Sequence, residues 1–181
     1  MPHRQRAPAM LTLTLFRHAK SSRDDPALDD FDRPLMQRGK DDVVLMRGWM
    51  TKNAITPDLV LSSPSERTRA TCELVFATLD TAPDLTFNEK LYLANPRVLL
   101  AMIHHVDDAV RHLMLVGHNP GLHALATAFI ASGPADLRAQ LDDKLPTCGL
   151  VVLEFDAARF ADVKPGTAHL VHFVAPKMLR A

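Results

Sequence analysis

The sequence predicts an α/β fold with a mostly parallel central sheet, and three stretches carry that prediction. Leu11-Thr12-Leu13-Thr14-Leu15-Phe16, Leu59-Val60-Leu61 and Leu113-Met114-Leu115-Val116 are short apolar runs of the kind that form buried strands. Each runs at once into a polar stretch: Arg17-His18-Ala19-Lys20-Ser21-Ser22, Ser62-Ser63-Pro64-Ser65-Glu66-Arg67 and Gly117-His118-Asn119-Pro120-Gly121. Strand patterns alternating with helix starts are what βα units require.

In an open α/β sheet ligands bind at the carboxyl ends of the strands, where all three polar stretches fall. If the three strands are neighbours, Arg17, His18, Arg67 and His118 converge on one pocket. Ser63 with Glu66 reads as a capping box, with Pro64 at the first helical position, and Asn119 with Pro120 reads similarly without the Glu. Both helices would then aim free N–H groups and the positive end of a dipole at the same edge. Such a pocket suits a phosphoryl group, whose oxygens are best held by forked arginines and helix N-termini. No Gly-rich run followed by Lys-Ser or Lys-Thr offers a Walker loop instead. His18 is the candidate nucleophile, because flanking cations lower its pKa and leave one nitrogen unprotonated near neutrality. Each stretch alone is ordinary, whether an exposed Arg-His pair, a capped helix with a surface Arg or a polar turn. Three of them at three strand ends point to a site.

Taken in order, the chain opens with residues 1–10, a polar, proline-bearing extension expected to be disordered and lacking the apolar core of a signal peptide, with Met1 and Met10 both open as the start. Asp24 to Asp32 reads as an acidic, solvated loop that also follows the polar stretch closely enough to line its entrance. A helix is expected over Gly39 to Asn53, burying Val43, Met46 and Met50 with Trp49 beside them, and another over roughly Ser65 to Leu79, burying Ala70, Leu74 and Ala77. Pro83 opens a loop to Leu85-Thr86-Phe87. Asn95 caps a helix begun by Pro96, with Leu99, Met102, Ile103 and Val106 on one face. Leu122, Leu125, Ala126, Phe129 and Ile130 give the helix after His118 its buried face. Pro134 to Pro146 reads as a charged connection, and Gly149 to Phe155 with His169 to Val174 as an antiparallel pair at the sheet edge near the C-terminus. The last third shows no chemistry of its own. Residues 11–181 are expected to form a single domain.

Composition limits the function classes. The 181 residues are 47% apolar, with 21 acidic and 21 basic side chains, so the chain can bury a real core and carries no basic excess for nucleic acid. No run approaches a membrane span. Cys72 and Cys148 stand far apart without metal spacing and read as reduced thiols in a cytoplasmic protein. Nine histidines invite a metal reading, but His104 and His105 are adjacent on a helix, and His169 and His172 face opposite sides of a strand. With His112 and His123 they are expected on the surface or in ordinary packing, and no metal or other cofactor is expected.

Four motifs in order, Leu15-Phe16-Arg17-His18-Ala19-Lys20-Ser21-Ser22, Asp32-Arg33-Pro34-Leu35 with Arg38-Gly39, Ser62 to Arg67 with Ala70-Thr71, and Val116 to Gly121, resemble the histidine phosphatase superfamily, specifically its small SixA-type phosphohistidine phosphatases. The resemblance spans nearly the whole chain from Leu11, and departs at Arg23, where many relatives carry Trp. It implies a phosphoglycerate mutase-like three-layer α/β/α sandwich. It implies His18 as the phosphorylated nucleophile, Arg17 and Arg67 as phosphate clamps, His118 as the second histidine on the phosphoryl group, and no metal. The reaction it implies is double displacement through a phosphohistidine, most simply on a phosphohistidine-bearing partner protein, with a small-molecule phosphomonoesterase or mutase as the alternative. Larger relatives supply a carboxylate acid after the second strand; Glu89 is the nearest positional candidate here, and a weak or missing acid would suit a phosphohistidine leaving group.

Overall fold

The computed structural model describes residues 10–77 and 82–180, so the extension expected over residues 1–10 lies, Met10 apart, outside the described residues, as does Leu79. Strand β1 (Leu11–Arg17) is buried from both sides. Leu11, Leu13 and Leu15 enter the core on one face of the sheet and Phe16 enters it on the other. The alternating threonines are therefore not a solvent face: buried Thr14 pairs its Oγ1 with His112 Nε2 at 2.8 Å.

Seven strands form one sheet in the order β3-β2-β4-β1-β6-β7-β5, where β2 is Leu59–Ser62, β3 Asp84–Phe87, β4 His112–Gly117, β5 Ile130–Ser132, β6 Leu150–Phe155 and β7 Ala168–Val174. The first four are mutually parallel, β6 runs antiparallel to β1 and β7, and β5 lies parallel to β7. Helices α1 (Gln37–Lys52) and α2 (Glu66–Phe76) cover the Phe16 face with Val43, Met46, Met50, Cys72 and Val75. Helices α3 (Pro96–His104), α4 (Gly121–Phe129) and α5 (Ala135–Asp143) cover the other with Leu99, Ile103, Leu122, Leu125, Phe129 and Leu141. Phe129 meets Phe155 edge to face at 5.0 Å between centroids, tying α4 to β6. Each fully buried side chain of this size contributes about 1.5–3 kcal/mol of transfer free energy, so the three-layer α/β/α sandwich rests on two cores rather than one. A short helix α6 (Pro176–Leu179) ends the described chain.

Several local expectations are corrected. Helix α1 begins at Gln37, not Gly39. The cap of α2 is Ser65 rather than Ser63, so Pro64 precedes the helix and the Ser63–Glu66 box does not form. Its buried face is Arg67, Thr68, Thr71, Cys72 and Val75, while Ala70 and Leu74 are half-buried and Ala77 exposed. The face is partly polar because it packs on the backbone of the loop after β1, where Ala19 N–H donates to Thr71 Oγ1 at 3.0 Å. Asn119 does not cap α4: its side-chain amide donates to Leu145 O at 2.8 Å instead. Leu85 to Phe87 belong to an edge strand, paired to β2. Ile130 leaves α4 and starts β5, which lies outside β7, so the β6–β7 pair is not itself the last of the sheet. The Pro134 to Pro146 connection holds helix α5, anchored by Leu141.

Candidate active site

Strand register assembles the site. Arg17 lies level with Gly117, and Ser62 with Val116, so His18, Ser63 and His118 emerge side by side where the ladders end. Two backbone bonds extend the alignment one residue further, His18 N–H to Gly117 O at 3.1 Å and Ser63 N–H to Val116 O at 3.0 Å. The chain leaves β1 through α1 on one face of the sheet and β4 through α4 on the other, and the crevice opens between those departures. The two imidazoles stand 5.1 Å apart, centroid to centroid. Arg67, in the first turn of α2 and 3% exposed, reaches both: Nε donates to His18 Nε2 and Nη2 to His118 Nδ1, each at 3.3 Å.

Hydrogen bonding sets the tautomers. Ala19 O can only accept, so at 2.7 Å it takes the Nδ1–H of His18 and leaves the lone pair on Nε2. His118 accepts from Arg67 through Nδ1, so its Nε2–H points to Ser63 Oγ at 2.8 Å. Both rings are held neutral far below the usual histidine range, at about 3. Burial is the main cause for each; for His18 the charges of His118, Arg67 and Arg17 add to it. The cations expected to lower the pKa of His18 do so, as the lesser contribution.

Arg17 is fastened by Nη1 to Leu145 O at 2.8 Å, while its buried Nε has no hydrogen-bond partner among the described residues. Leu145 O also holds Asn119, and Cys148 N–H donates to His18 O at 3.0 Å. The last third of the chain, expected to show no chemistry of its own, thus supplies backbone support to the site. Cys148 adopts a left-handed conformation there (φ 58°), and Leu93 another (φ 48°) on the pocket rim; strain of this kind costs about 1–3 kcal/mol and persists where the surroundings impose it.

Sequence reasoning missed Asp30 and Tyr92. The acidic loop forms a short 3-10 turn at Asp30–Asp32, and the Asp30 carboxylate takes a hydrogen bond from Tyr92 at 2.7 Å, from Arg67 Nη2 at 2.9 Å and from Arg33 Nη1 at 2.7 Å. Arg67 Nη1 also donates to Asp30 O, and Arg33 Nη2 to Ser21 Oγ. The Tyr92 bond, then the arginines, hold Asp30 down at about 2. The spacing of Asp30 and Arg33, three apart in an otherwise acidic loop, was the available signal; nothing local distinguishes Tyr92. The pocket these residues enclose has a volume of about 330 Å³ and is lined by Arg17, His18, Arg33, Arg67 and His118, with Asp30 as its one carboxylate. Glu89 is exposed on a separate 3-10 turn and does not line it.

The remaining histidines among the described residues have ordinary partners: His104 bonds Val163 O, His105 bonds Ala101 O, His112 bonds Thr14, His123 bonds Leu141 O and His169 bonds Ser132, while His172 packs on Trp49. Among the described residues no group of three or more His, Cys, Asp or Glu is placed to hold a metal ion, no helix is long and apolar enough to cross a membrane, and Cys72 and Cys148 are both free and buried.

No family model matches the chain. An uncharacterised protein of Mycobacterium tuberculosis is 40% identical over 163 residues, which cover 89% of this chain and 99% of that protein. The solved structure of a candidate phosphohistidine phosphatase SixA from Agrobacterium tumefaciens superposes with a TM-score of 0.77 at 30% identity, covering 92% of this chain and 98% of the other. A protein histidine phosphatase SixA solved with tungstate shares the fold at a TM-score of 0.72 and 20% identity, over 93% of this chain and 99% of its own.

Proposed function

This chain belongs to the histidine phosphatase superfamily, and from that premise we propose that it is a SixA-like phosphatase that removes the phosphoryl group of a phosphohistidine on a partner protein through a phosphorylated His18. The observation that carries the reading is the state of His18: its Nδ1–H is committed to Ala19 O, its Nε2 lone pair faces Arg67, and burial keeps it unprotonated. Nε2 attacks phosphorus, forming a P–N bond as the bond to the leaving imidazole nitrogen breaks. That nitrogen collects its proton from solvent. Arg17, with its unpartnered Nε, and Arg67 take the equatorial oxygens. His118, whose two ring nitrogens are engaged by Arg67 and Ser63, gains a negative neighbour when a phosphoryl dianion binds; that charge favours uptake of a solvent proton, and the imidazolium then donates to the third oxygen. Water next attacks phosphorus, the P–Nε2 bond breaks, and inorganic phosphate leaves.

The choice of leaving group follows from the carboxylates. Asp30 is the one carboxylate lining the pocket and is held ionised, and Glu89 is outside, so no protonated carboxyl stands ready for an alkoxide. A basic imidazole leaving group needs none. The test compares a phosphohistidine-bearing protein with sugar and amino-acid phosphates as substrates, and traps the enzyme with labelled substrate. The expected result is preference for phosphohistidine and acid-labile, base-stable label on wild type that is absent from His18→Ala. Preference for phosphate esters would identify a phosphomonoesterase instead, and label on His18→Ala would remove His18 from the nucleophile's role.

A further inference from the structure

The phosphate pocket does not end at Lys20. A second cavity of about 200 Å³ shares Lys20 and Thr147 with it and continues between the start of α1, the 146–147 loop and α6. Four cations line it, Lys20, Arg38, Lys177 and Arg180, against the single carboxylate of Asp42. Asp42 is 4% exposed and already paired with Arg180, so that couple is neutral. Lys20, Arg38 and Lys177 have no ion-pair partner among the described residues. A chain of zero formal net charge has thus gathered three uncompensated cations at one concavity beside its reactive histidine.

The gathering is built into the backbone. Met36 N–H donates to Lys20 O at 3.0 Å, and Gly39 packs so closely on the same carbonyl that a Cβ there would lie 2.2 Å from it. The first turn of α1, with Arg38, is therefore fixed against the loop that carries His18. That helix starts with no side-chain cap and no acidic residue in its first turn, so its positive end adds to the local field. The Asp42–Arg180 pair ties α6, and Lys177 with it, to the far side.

We propose that this cavity is a docking subsite for an acidic segment of the partner protein whose phosphohistidine enters the adjoining pocket, an inference that rests on the phosphohistidine reading above. Pro146, Ala175 and Pro176 complete the lining, and such an apolar wall suits the methylene stem of a glutamate better than a bare phosphate, which gains nothing from covering it. Arg38 and Lys177 are exposed at the rim, where charge steers an approaching acidic surface and sets its register.

The test uses two short peptides with a central phosphohistidine, one flanked by glutamates and one by glutamines, together with the unphosphorylated glutamate peptide. At low ionic strength the glutamate phosphopeptide is expected to show a kcat/KM roughly tenfold higher, through KM, with the advantage shrinking at about 0.5 M salt. The Arg38→Glu/Lys177→Glu protein should lose that advantage while turning over the free amino acid phosphohistidine as wild type does. Equal treatment of the two peptides by wild type would overturn the subsite. If neither peptide is hydrolysed while p-nitrophenyl phosphate is, the phosphohistidine reading fails, and calorimetry with the unphosphorylated glutamate peptide then judges the subsite alone. Binding that the double variant loses sustains it; no binding to wild type overturns it.

Discussion

Burial, more than the neighbouring cations, keeps the imidazole of His18 neutral, and the same is true of His118. This has a consequence for stability whose sign is fixed. Both rings have unfolded values near 6.5 and folded values of about 3, so between those limits the unfolded chain binds protons that the native state refuses. Stability is therefore independent of these groups above about pH 6.5 and falls as pH drops below it, by up to about 1.4 kcal/mol per pH unit for each ring. Thermal melts between pH 7.5 and pH 5 are expected to show this decline, and a His118→Gln protein to show a shallower one. An equal slope in the variant would mean that His118 charges as readily in the native state as in the unfolded one. Asp30 has the same sign in a lower window: its unfolded carboxyl takes up a proton near 3.8 while the native one resists until about 2, so its contribution is lost as pH falls between those values.

Helix α1 shows how an element is shaped by what it packs on. Two of its glycines, Gly39 and Gly48, look alike in sequence, yet a Cβ on Gly39 would meet Lys20 O at 2.2 Å, whereas one on Gly48 meets nothing within 4 Å. Alanine in a helix is favoured over glycine by about 1 kcal/mol, and overpacking against rigid backbone costs about 1–3 kcal/mol. Gly48→Ala is accordingly expected to raise the melting temperature by about 2–4 °C, and Gly39→Ala to lower it and to reduce turnover by displacing the His18 loop. A Gly39→Ala protein as stable and active as wild type would show that α1 can slide on that loop freely. Helix α2 makes the complementary point: its inward face is polar because it supports the loop that carries His18 as well as a core, so apolar periodicity misjudged it.

At the scale of the whole molecule, the site exists only because β1, β2 and β4 are neighbours in the sheet. Arg67, about fifty residues from His18 in the chain, is the residue most dependent on that convergence. Arg67→Lys keeps the charge and removes the planar fork, and two charge-assisted bonds in the transition state are worth roughly 2–4 kcal/mol, a loss of about thirty- to a thousandfold in kcat/KM. The measurement is made on the best phosphorylated substrate, with melting temperature as the folding control; near-wild-type turnover would exclude Arg67 from phosphate binding. The arginines also supply the positive charge that a divalent ion provides elsewhere, so turnover is expected to survive exhaustive chelation. Loss of activity restored by one divalent ion would refute that.

The sequence by itself determined the βα alternation, the strand cores, the cap at Asn95 and the placing of Arg17, His18, Arg67 and His118 at or just beyond strand ends, because periodicity and polar residues at strand ends are local properties. Only the tertiary structure decided that Asp30 and Tyr92 hold Arg67, that the carbonyl of Leu145 holds Arg17, and that Ser65 rather than Ser63 begins α2. Those contacts join residues far apart in the chain or turn on a backbone angle. Ser63 illustrates the reason: its hydroxyl, a plausible cap when read along the sequence, is taken by His118, fifty-five residues away, once strand register brings the two together. A side chain with one hydroxyl serves whichever partner the packing delivers, and packing is not written in the neighbouring residues.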